Sequence, residues 1–449
     1  MTRLTNRYVA GKINAKRLVQ LLVVALGLII ACGPAGAQEP VELTFMFRGG
    51  ELQEQLVHHW IAEFEAENPD IKINWRIASG DWMDQMPIWI ASGTAPDVFE
   101  MWGRQARDWG ENGFLLDLAP YVARDFTQEE IDDFFPISWE ASILNLGPRA
   151  GVQYGIPSYG NIYTFYYNKT LFDEAGVPHL DVLDQSGDWT WETLIEIGRK
   201  LTRSDGERIV QYALEDNSIQ HPTARGAGWI AAAGGKIFDF PDNPTRFMMD
   251  EPEAIQGLQF MQDLIWQYQI VPPQDMLSQY DFRNGQAAMR VEGTGYLARM
   301  EIFMEGRWDF DLGPRPMGPV SRGYYLASDM FGISGTTKHP EEAWRFVKYL
   351  VGEKGMYAHM AIMGRGPARK SLYEDYQELY PNRSTIYHML GMMEAVLSPE
   401  TLMYESHEAR RLIRDVAVRP WVMTGEKPAE QAIREIADAV RALYVDYEF

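Results

Sequence analysis

The chain has almost no cysteine. Cys32 is the single cysteine among 449 residues, so no disulfide can form within the chain. Only eight histidines are present, and a transition-metal site or metal cofactor is not expected. Positive charge is also scarce, because 41 Lys and Arg stand against 63 Asp and Glu, a net charge of −22. Such a surface repels nucleic-acid phosphates, so a nucleic-acid partner is not expected.

Long apolar runs are absent after the first 31 residues. No later segment reaches 18 uninterrupted apolar residues, the length that predicts a membrane span. Hydrophobic residues make up 46% and charged residues 23%, which is the balance of a globular protein. The length suits one large domain or two of middle size.

The N-terminus predicts an export signal. Five cations in residues 1–17 precede an apolar run at 18–30. Thirteen residues span about 20 Å as a helix, which is too short for a bilayer core of roughly 30 Å. A charged segment, a short apolar segment and small residues after it are typical of a secretory signal.

The end of this signal resembles the lipobox of bacterial lipoproteins. The apolar run closes with Leu28-Ile29-Ile30-Ala31-Cys32. The resemblance implies cleavage before Cys32, attachment of lipid to Cys32, and a flexible tether at 32–40. The alternative is an ordinary secretory signal that is cut after Ala37, with Cys32 lost. In either case the protein is expected outside the cytoplasm.

The body of the chain alternates between strand and helix patterns. Residues 41–47 and 71–77 alternate as strands do, and residues 52–67 place apolar side chains on one helical face. This β-α-β beginning predicts a parallel sheet with a right-handed crossover. Further helices are predicted at 252–268, 339–351 and 428–444, and Trp60, Trp266 and Trp344 within helices are predicted to be packing residues.

A set of spaced motifs resembles one protein family. The motifs are FEAENPDIKI (64–73), SGTAPDV (92–98), GFLLDL (113–118), YGIP (154–157), FYYNK (165–169), LFDEAGV (171–177) and FRNGQAAM (282–289). Each is weak alone. In this order and spacing they resemble the extracellular sugar-binding lipoproteins of bacterial ABC importers, the class similar to maltose-binding protein.

The resemblance implies an α/β, two-lobed fold of the periplasmic-binding-protein type, with several hinge crossings and a ligand cleft between the lobes. Lobe one would comprise 41–158 and 323–365, and lobe two 159–322 and 366–449. The crossings would lie near 157–167, 322–334 and 364–367. Proteins of this type close around their ligand by hinge motion.

Candidate ligand-binding residues follow from this mapping, because a sugar offers apolar faces to aromatic rings and hydroxyl edges to polar groups. The predicted aromatic contacts are Trp82, Trp102, Tyr159, Trp229 and Tyr296. The predicted polar contacts are Arg48, Glu51, Glu100, Arg104, Asn161, Glu292, Thr294, Asp329 and Arg365. No catalytic residue is assigned. A carboxylate is expected to accept hydrogen bonds from sugar hydroxyls, which would be charge-assisted.

Two other functions stay open. A surface-bound glycoside hydrolase needs only two suitably spaced carboxylates, which 63 acidic residues cannot exclude. A receptor for a non-sugar solute, such as a polyamine, an amino-acid derivative or a phosphodiester, is also compatible with the motifs. The chain has no Gly-Lys-Ser/Thr phosphate loop, so its expected partners are a transmembrane permease pair and a cytoplasmic ATPase, and it is expected to act as a monomer.

Overall fold

The computed structural model describes residues 39–80, 82–145, 148–221, 225–239, 246–397 and 407–443. The side chains of residues 103–105, 220, 328, 396, 397 and 407 lie outside this description. The predicted export signal with Cys32 also falls outside it.

The predicted β-α-β beginning is confirmed. Strand β1 (Val41–Arg48), helix α1 (Glu51–Glu67) and strand β2 (Ile71–Ala78) follow one another, and β1 pairs with β2 in parallel. Trp60 is fully buried on α1, because the helical spacing turns the apolar face toward the sheet. Asn68 caps the end of α1, since the residue before a proline avoids the helical region.

The remaining strands are β3 (Val98–Trp102), β4 (Ile156–Asn168), β5 (Arg203–Asp205), β6 (Arg208–Glu215), β7 (Ala287–Gly293), β8 (Phe310–Gly313), β9 (Tyr325–Ile333) and β10 (Val396–Leu397).

The helices that follow α1 are α2 (Trp82–Ser92), α3 (Gly103–Glu111), α4 (Ala119–Asp125), α5 (Gln128–Asp133), α6 (Pro136–Glu140), α7 (Lys169–Ala175), α8 (Leu180–Gln185), α9 (Trp191–Leu201), α10 (Ala227–Ala232), α11 (Pro252–Trp266), α12 (Leu297–Met304), α13 (Pro340–Leu350), α14 (Glu353–Met363), α15 (Tyr373–Leu379), α16 (Ile386–Glu394), α17 (His407–Arg410) and α18 (Ala429–Ala442). A π-helix covers Arg411–Val422, and short 3-10 helices cover Asn217–Gln220, Gln274–Gln279, Phe282–Asn284 and Thr294–Tyr296. The helices predicted from the sequence correspond to α11, α13 and α18.

The strands join in one mixed sheet. Their order is β2-β1-β3-β9-β4-β7-β6-β5, with β8 beside β4 and β10 beside β9. The pairs β1–β2, β1–β3, β6–β7 and β9–β10 are parallel. Strand β4 runs antiparallel to β7, β8 and β9, and the pairs β3–β9 and β5–β6 are also antiparallel. The α/β class is therefore confirmed.

Strand β4 connects the two halves of the sheet. Its first part, from Ile156 to Ile162, pairs with β9, and its second part, from Tyr163 to Asn168, pairs with β7 and β8. The first predicted crossing, at 157–167, lies on this single strand of 13 residues.

Two large cores flank this strand. One contains Phe45, Trp60 and Trp344, and the other contains Trp191, Trp229 and the apolar face of α18. Helix α12 and Tyr376 share the first core, although the sequence mapping assigns both to lobe two. The lobe boundaries thus stay a prediction.

The helical tryptophans follow their predicted role with one exception. Trp60 and Trp344 are fully buried, but Trp266 is 45% exposed, which corrects the prediction for that residue. It stands in the last turn of α11, where its N–H donates to the carbonyl of Met423 and one side of the ring faces solvent. In the described part of the chain, every helix is too short or too polar to cross a membrane.

Candidate functional site

Six of the predicted residues come together where four strands meet. Arg48 and Trp102 stand at the carboxyl ends of the parallel strands β1 and β3, the edge where open α/β sheets place ligands. The register of β9 sets Asp329 opposite both Trp102 on β3 and Tyr159 on β4. Glu100 on β3 and Arg365 after α14 complete what we call the crossing cluster, which consists of Arg48, Glu100, Trp102, Tyr159, Asp329 and Arg365.

Arg48 is the centre of the crossing cluster. Its Nε donates to Glu100 Oε2 at 2.7 Å and its Nη2 donates to Asp329 Oδ2 at 2.7 Å. Its guanidinium lies over the indole of Trp102, with Cζ 4.3 Å from the ring centroid. The side chain keeps 29% of its surface exposed, against 1% for Glu100 and 7% for Asp329. Arg48 therefore presents the accessible polar surface of these three.

Glu100 holds two arginines at once. Its Oε2 accepts from Arg48, and its Oε1 accepts from Arg365 Nη1 at 3.0 Å. Burial opposes ionisation of this carboxyl, but the two guanidiniums outweigh it and the pKa of Glu100 is lowered. Both oxygens are engaged, so in this conformation Glu100 orients arginines and does not offer itself to sugar hydroxyls.

Tyr159 is a buried member of the crossing cluster. Its hydroxyl donates to Asp329 Oδ2, and its ring is covered by Arg365, whose Cζ is 4.1 Å from the centroid. Burial, together with the charge of Asp329, raises the pKa of Tyr159 far above its ordinary value, so the hydroxyl stays a donor.

Trp82 extends the aromatic surface. Its ring meets Trp102 edge-on, with centroids 5.6 Å apart, and it is buried while Trp102 is half-buried. Trp102 is therefore the more accessible of the two indoles.

The loop after β7 approaches the crossing cluster from the other half of the sheet. Asn161 Oδ1 lies 2.3 Å from where a Cβ on Gly293 would stand, so any larger residue there would displace the Asn161 side chain. The corresponding position on Gly295 lies 3.3 Å from Tyr159 and 3.4 Å from Arg365. This brings Asn161 and the Gly293–Gly295 segment beside the crossing cluster.

Charged residues surround the remaining loop residues. Arg290 bridges Glu215 and Glu292, with Nη1 to Glu215 Oε1 at 2.6 Å and Nη2 to Glu292 Oε2 at 2.7 Å. Arg290 and Arg299 both lie near the ring of Tyr296, at 5.8 and 5.5 Å from its centroid.

Thr294 is buried and supports the loop from inside. Its hydroxyl bonds to Nδ1 of His388 at 3.0 Å. The structure thus places Thr294 behind the site surface, beside a buried histidine.

Three other predicted residues are not part of the crossing cluster as defined above. Trp229 is fully buried in the second core, where its N–H donates to Asp216 at 2.8 Å and Arg315 covers its ring at 4.7 Å. Glu51 is exposed in the first turn of α1. Arg104 lies on α3, but its side chain is among those not described.

Four residues that the sequence did not single out stand close to the predicted ones. They are Arg290, Arg299, His359 and His388. The period of two along β7 could have found Arg290, because it shares a face with Glu292. Arg299 and His359 stand within six positions of the predicted residues Tyr296 and Arg365, on the helices α12 and α14. His388 comes from a helix 94 positions after Thr294, and no local signal marks it. The described residues include no group of three or more His, Cys, Asp or Glu arranged to hold a metal ion.

Comparison with known sequences gives the family. Residues 49–357 match the profile of the bacterial extracellular solute-binding proteins. An arabinooligosaccharide-binding protein of Halalkalibacterium halodurans is 26% identical over 377 residues, which are 79% of this chain and 76% of that protein. A maltotriose-binding protein of Pyrococcus abyssi is 25% identical, over 70% of this chain and 63% of that protein's length.

Comparison with solved structures gives the same fold. An ABC substrate-binding protein from Listeria monocytogenes in complex with cycloalternan superposes with a TM-score of 0.73 at 21% identity, over 90% of this chain and 99% of that one. UgpB from Mycobacterium tuberculosis in complex with glycerophosphocholine also has a TM-score of 0.73, at 18% identity, over 91% and 98% of the two chains. The two-lobed α/β fold is therefore confirmed.

Proposed function

The chain belongs to the family of bacterial extracellular solute-binding proteins, and from that premise we propose that it is a receptor that captures a carbohydrate outside the cytoplasm and delivers it to an ABC-type importer. Its partners would be a transmembrane permease pair and a cytoplasmic ATPase. The named relatives that bind arabinooligosaccharides and maltotriose support a saccharide ligand.

The observation that carries the proposal is the pair formed by Arg48 and Trp102. The part of the half-buried Trp102 indole that Arg48 leaves uncovered would contact the C–H surface of a sugar ring, and the neighbouring guanidinium would donate to hydroxyl oxygens. Carboxylates hold the guanidinium in place before the ligand arrives, which lowers the ordering cost of binding.

The charges of the crossing cluster favour a neutral ligand. Arg48 and Arg365 contribute two positive charges, and Glu100 and Asp329 contribute two negative charges within ion-pair distance. An anionic or cationic solute would disturb this balance, whereas a neutral polyol would not. A polyamine or phosphodiester is for that reason the less favoured ligand.

Lobe closure is the proposed mechanism of capture. The crossing cluster contains residues from all three predicted crossings: Tyr159 from the first, Asp329 from the second and Arg365 from the third. A ligand that contacts both this cluster and the loop at Gly293–Gly295 would favour the closed arrangement, since only differential affinity shifts such an equilibrium. The boundaries 41–158 with 323–365, and 159–322 with 366–449, are part of this proposal.

Lipid attachment at Cys32 is proposed as the means of retention at the membrane. The support is the lipobox-like sequence and the position of the chain's single cysteine within it. Cys32→Ser is expected to release the protein from the membrane fraction. Continued membrane association of that variant would contradict the anchor.

We also propose that the protein binds its ligand without hydrolysing it. A glycosidase needs a carboxylic acid with a raised pKa near the scissile bond. Within the crossing cluster, the pKa of Glu100 is instead lowered by Arg48 and Arg365, although its burial acts in the opposite direction. Release of reducing ends from an oligosaccharide by the purified protein would favour a hydrolase instead.

The proposed function is tested by a ligand screen. Arabinotriose, maltotriose and shorter sugars are compared by thermal shift and calorimetry, with spermidine and glycerophosphocholine as non-sugar controls. We expect stabilisation by a neutral saccharide and none by the controls. Binding of a control in preference to every sugar would replace the carbohydrate assignment.

A further inference from the structure

One nitrogen of the Arg365 guanidinium makes two hydrogen bonds. Its Nη1 donates one hydrogen to Glu100 Oε1 and the other to Nε2 of His359, both at 3.0 Å. Arg365 follows the C-terminus of α14, and His359 stands one turn back on the same helix. The histidine thus contacts the third predicted crossing and, through Arg365, the crossing cluster.

The geometry determines the protonation of His359. A guanidinium has no lone pair, so it can only donate, and Nε2 of His359 must accept. The proton of the neutral ring then lies on Nδ1, which is buried and has no hydrogen-bond partner among the described residues. The ring is 1% exposed and packs edge-on against Trp60 and Tyr159, with centroids 5.2 and 5.1 Å away.

We propose that His359 is a positioning residue for ligand capture, and that uptake of a proton by its ring disables capture. As a neutral hydrogen-bond acceptor, His359 fixes Arg365. Arg365 and Glu100 together then hold Arg48 against Trp102. This rests on the proposed function, because it concerns the same site. His359 itself is covered and does not touch the ligand.

Proton uptake by His359 would remove the contact, because an imidazolium at Nε2 can no longer accept from Arg365. The charged and titratable groups that face the ring are Arg365 from the crossing, Arg48 from β1 and Tyr159 from β4, while Phe47 and Trp60 are apolar. No carboxylate of the described residues bonds to the ring, so the new charge would be buried beside two cations.

The electrostatics agree with this geometry. Burial, followed by the charges of Arg365 and Arg48, holds the pKa of His359 well below its ordinary value. The neutral ring therefore persists at neutral pH, and acid is required to change it.

Two variants separate positioning from packing. His359→Gln places an amide oxygen near the position of Nε2 and keeps an acceptor that does not titrate. His359→Phe keeps the aromatic packing and removes the acceptor. Affinity for the saccharide that binds in the screen, with maltotriose as the first probe, is measured by calorimetry from neutral pH into acid.

At neutral pH the Gln variant should match the wild type, and the Phe variant should bind about tenfold more weakly, since one charge-assisted hydrogen bond is lost. In acid the wild type should lose affinity more steeply than the Gln variant. The carboxylates titrate in both proteins, so the difference between the two curves reports His359. Equal affinity of the Phe variant at neutral pH, or parallel wild-type and Gln curves, would overturn the inference.

A ligand-free measurement keeps the two proposals distinguishable. Nitrogen-15 NMR of the histidine rings should show His359 neutral and protonated on Nδ1 at neutral pH. A proton on Nε2 would refute the positioning role whatever the screen finds. If the ring has the expected form but no saccharide binds the wild type, the proposed function fails, and the role of His359 in capture fails with it.

Discussion

Each half of the sheet contains a buried group of ion pairs between arginine and glutamate. In one half two arginines share one glutamate, and in the other two glutamates share one arginine. In the crossing cluster one carboxylate, Glu100, is shared by two arginines. Beside β7 one arginine, Arg290, is shared by two carboxylates, Glu215 and Glu292. Burial raises both pKa values, but the pKa of Glu100 ends below its ordinary value and that of Glu215 ends above it.

These two buried acids thus differ in the number of their cationic partners, not in the presence of an ion pair. Two guanidiniums outweigh the desolvation of Glu100. For Glu215, desolvation and the charge of Asp281 outweigh the single guanidinium of Arg290 and the N–H of Phe282. Glu100 in the crossing cluster is consequently held ionised, whereas Glu215 beside β7 takes up a proton more readily than Glu100 does.

The largest difference between the two groups is expected when each shared or paired glutamate is replaced by its neutral amide. Glu100→Gln leaves Arg48 and Arg365 without their shared carboxylate, and we expect a loss of about 3–5 kcal/mol in the free energy of unfolding. Glu215→Gln leaves Arg290 its second partner, Glu292, and should cost about 1 kcal/mol, as for one ordinary hydrogen bond. Urea unfolding of both variants measures the difference. Equal losses would show that partner number is not decisive.

Lowering the pH should destabilise the fold on the β7 side through protonation of His388. This buried ring bonds to Thr294 and contacts the carbonyl of Pro367, and burial lowers its pKa from 6.5 to about 4. Because folding favours the neutral ring, its contribution to stability is present above pH 6.5 and is lost as the pH falls toward 4. We expect a loss of about 2–3 kcal/mol over that interval.

The measurement is denaturant unfolding of the wild type and His388→Gln across the same pH range. The variant should show a shallower decline, since it lacks the titrating ring, while the carboxylates and other histidines act equally in both. Identical slopes would mean that another group causes the acid sensitivity.

Two tryptophans, one inside the crossing cluster and one outside it, allow the comparison to be tested by saccharide affinity. Trp102 is half-buried at the crossing cluster, so Trp102→Ala should weaken saccharide binding by more than about tenfold with little loss of folding. Trp266→Ala removes a partly exposed indole on α11 and serves as the matched control. Calorimetry and thermal unfolding distinguish the two effects. Unchanged affinity of the Trp102 variant would remove this residue from the site.

Much of the site could be predicted because strands end at predictable places. Arg48 and Trp102 follow alternating apolar segments, and the family motifs locate Tyr159, Asp329 and Arg365. Trp229 stands beside an equally suggestive glycine-rich segment, yet it is fully buried. Local sequence could not separate these cases, since burial depends on which distant side chains cover the ring, here Asp216 and Arg315.

Periodicity and turn residues by themselves determined the β-α-β beginning and the later helices, because those signals act between residues close in the chain. The α/β, two-lobed class was implied by the resemblance of the spaced motifs to a known family. Only the tertiary structure decided that Glu100 serves two arginines, that His359 accepts from Arg365, and that Thr294 faces a histidine and not the surface. The contacts of Glu100 and Thr294 join residues that lie dozens to hundreds of positions apart, whereas His359 and Arg365 are only six positions apart. The energies of all three contacts depend on burial and on the number of neighbouring charges, which exist only after the chain has folded.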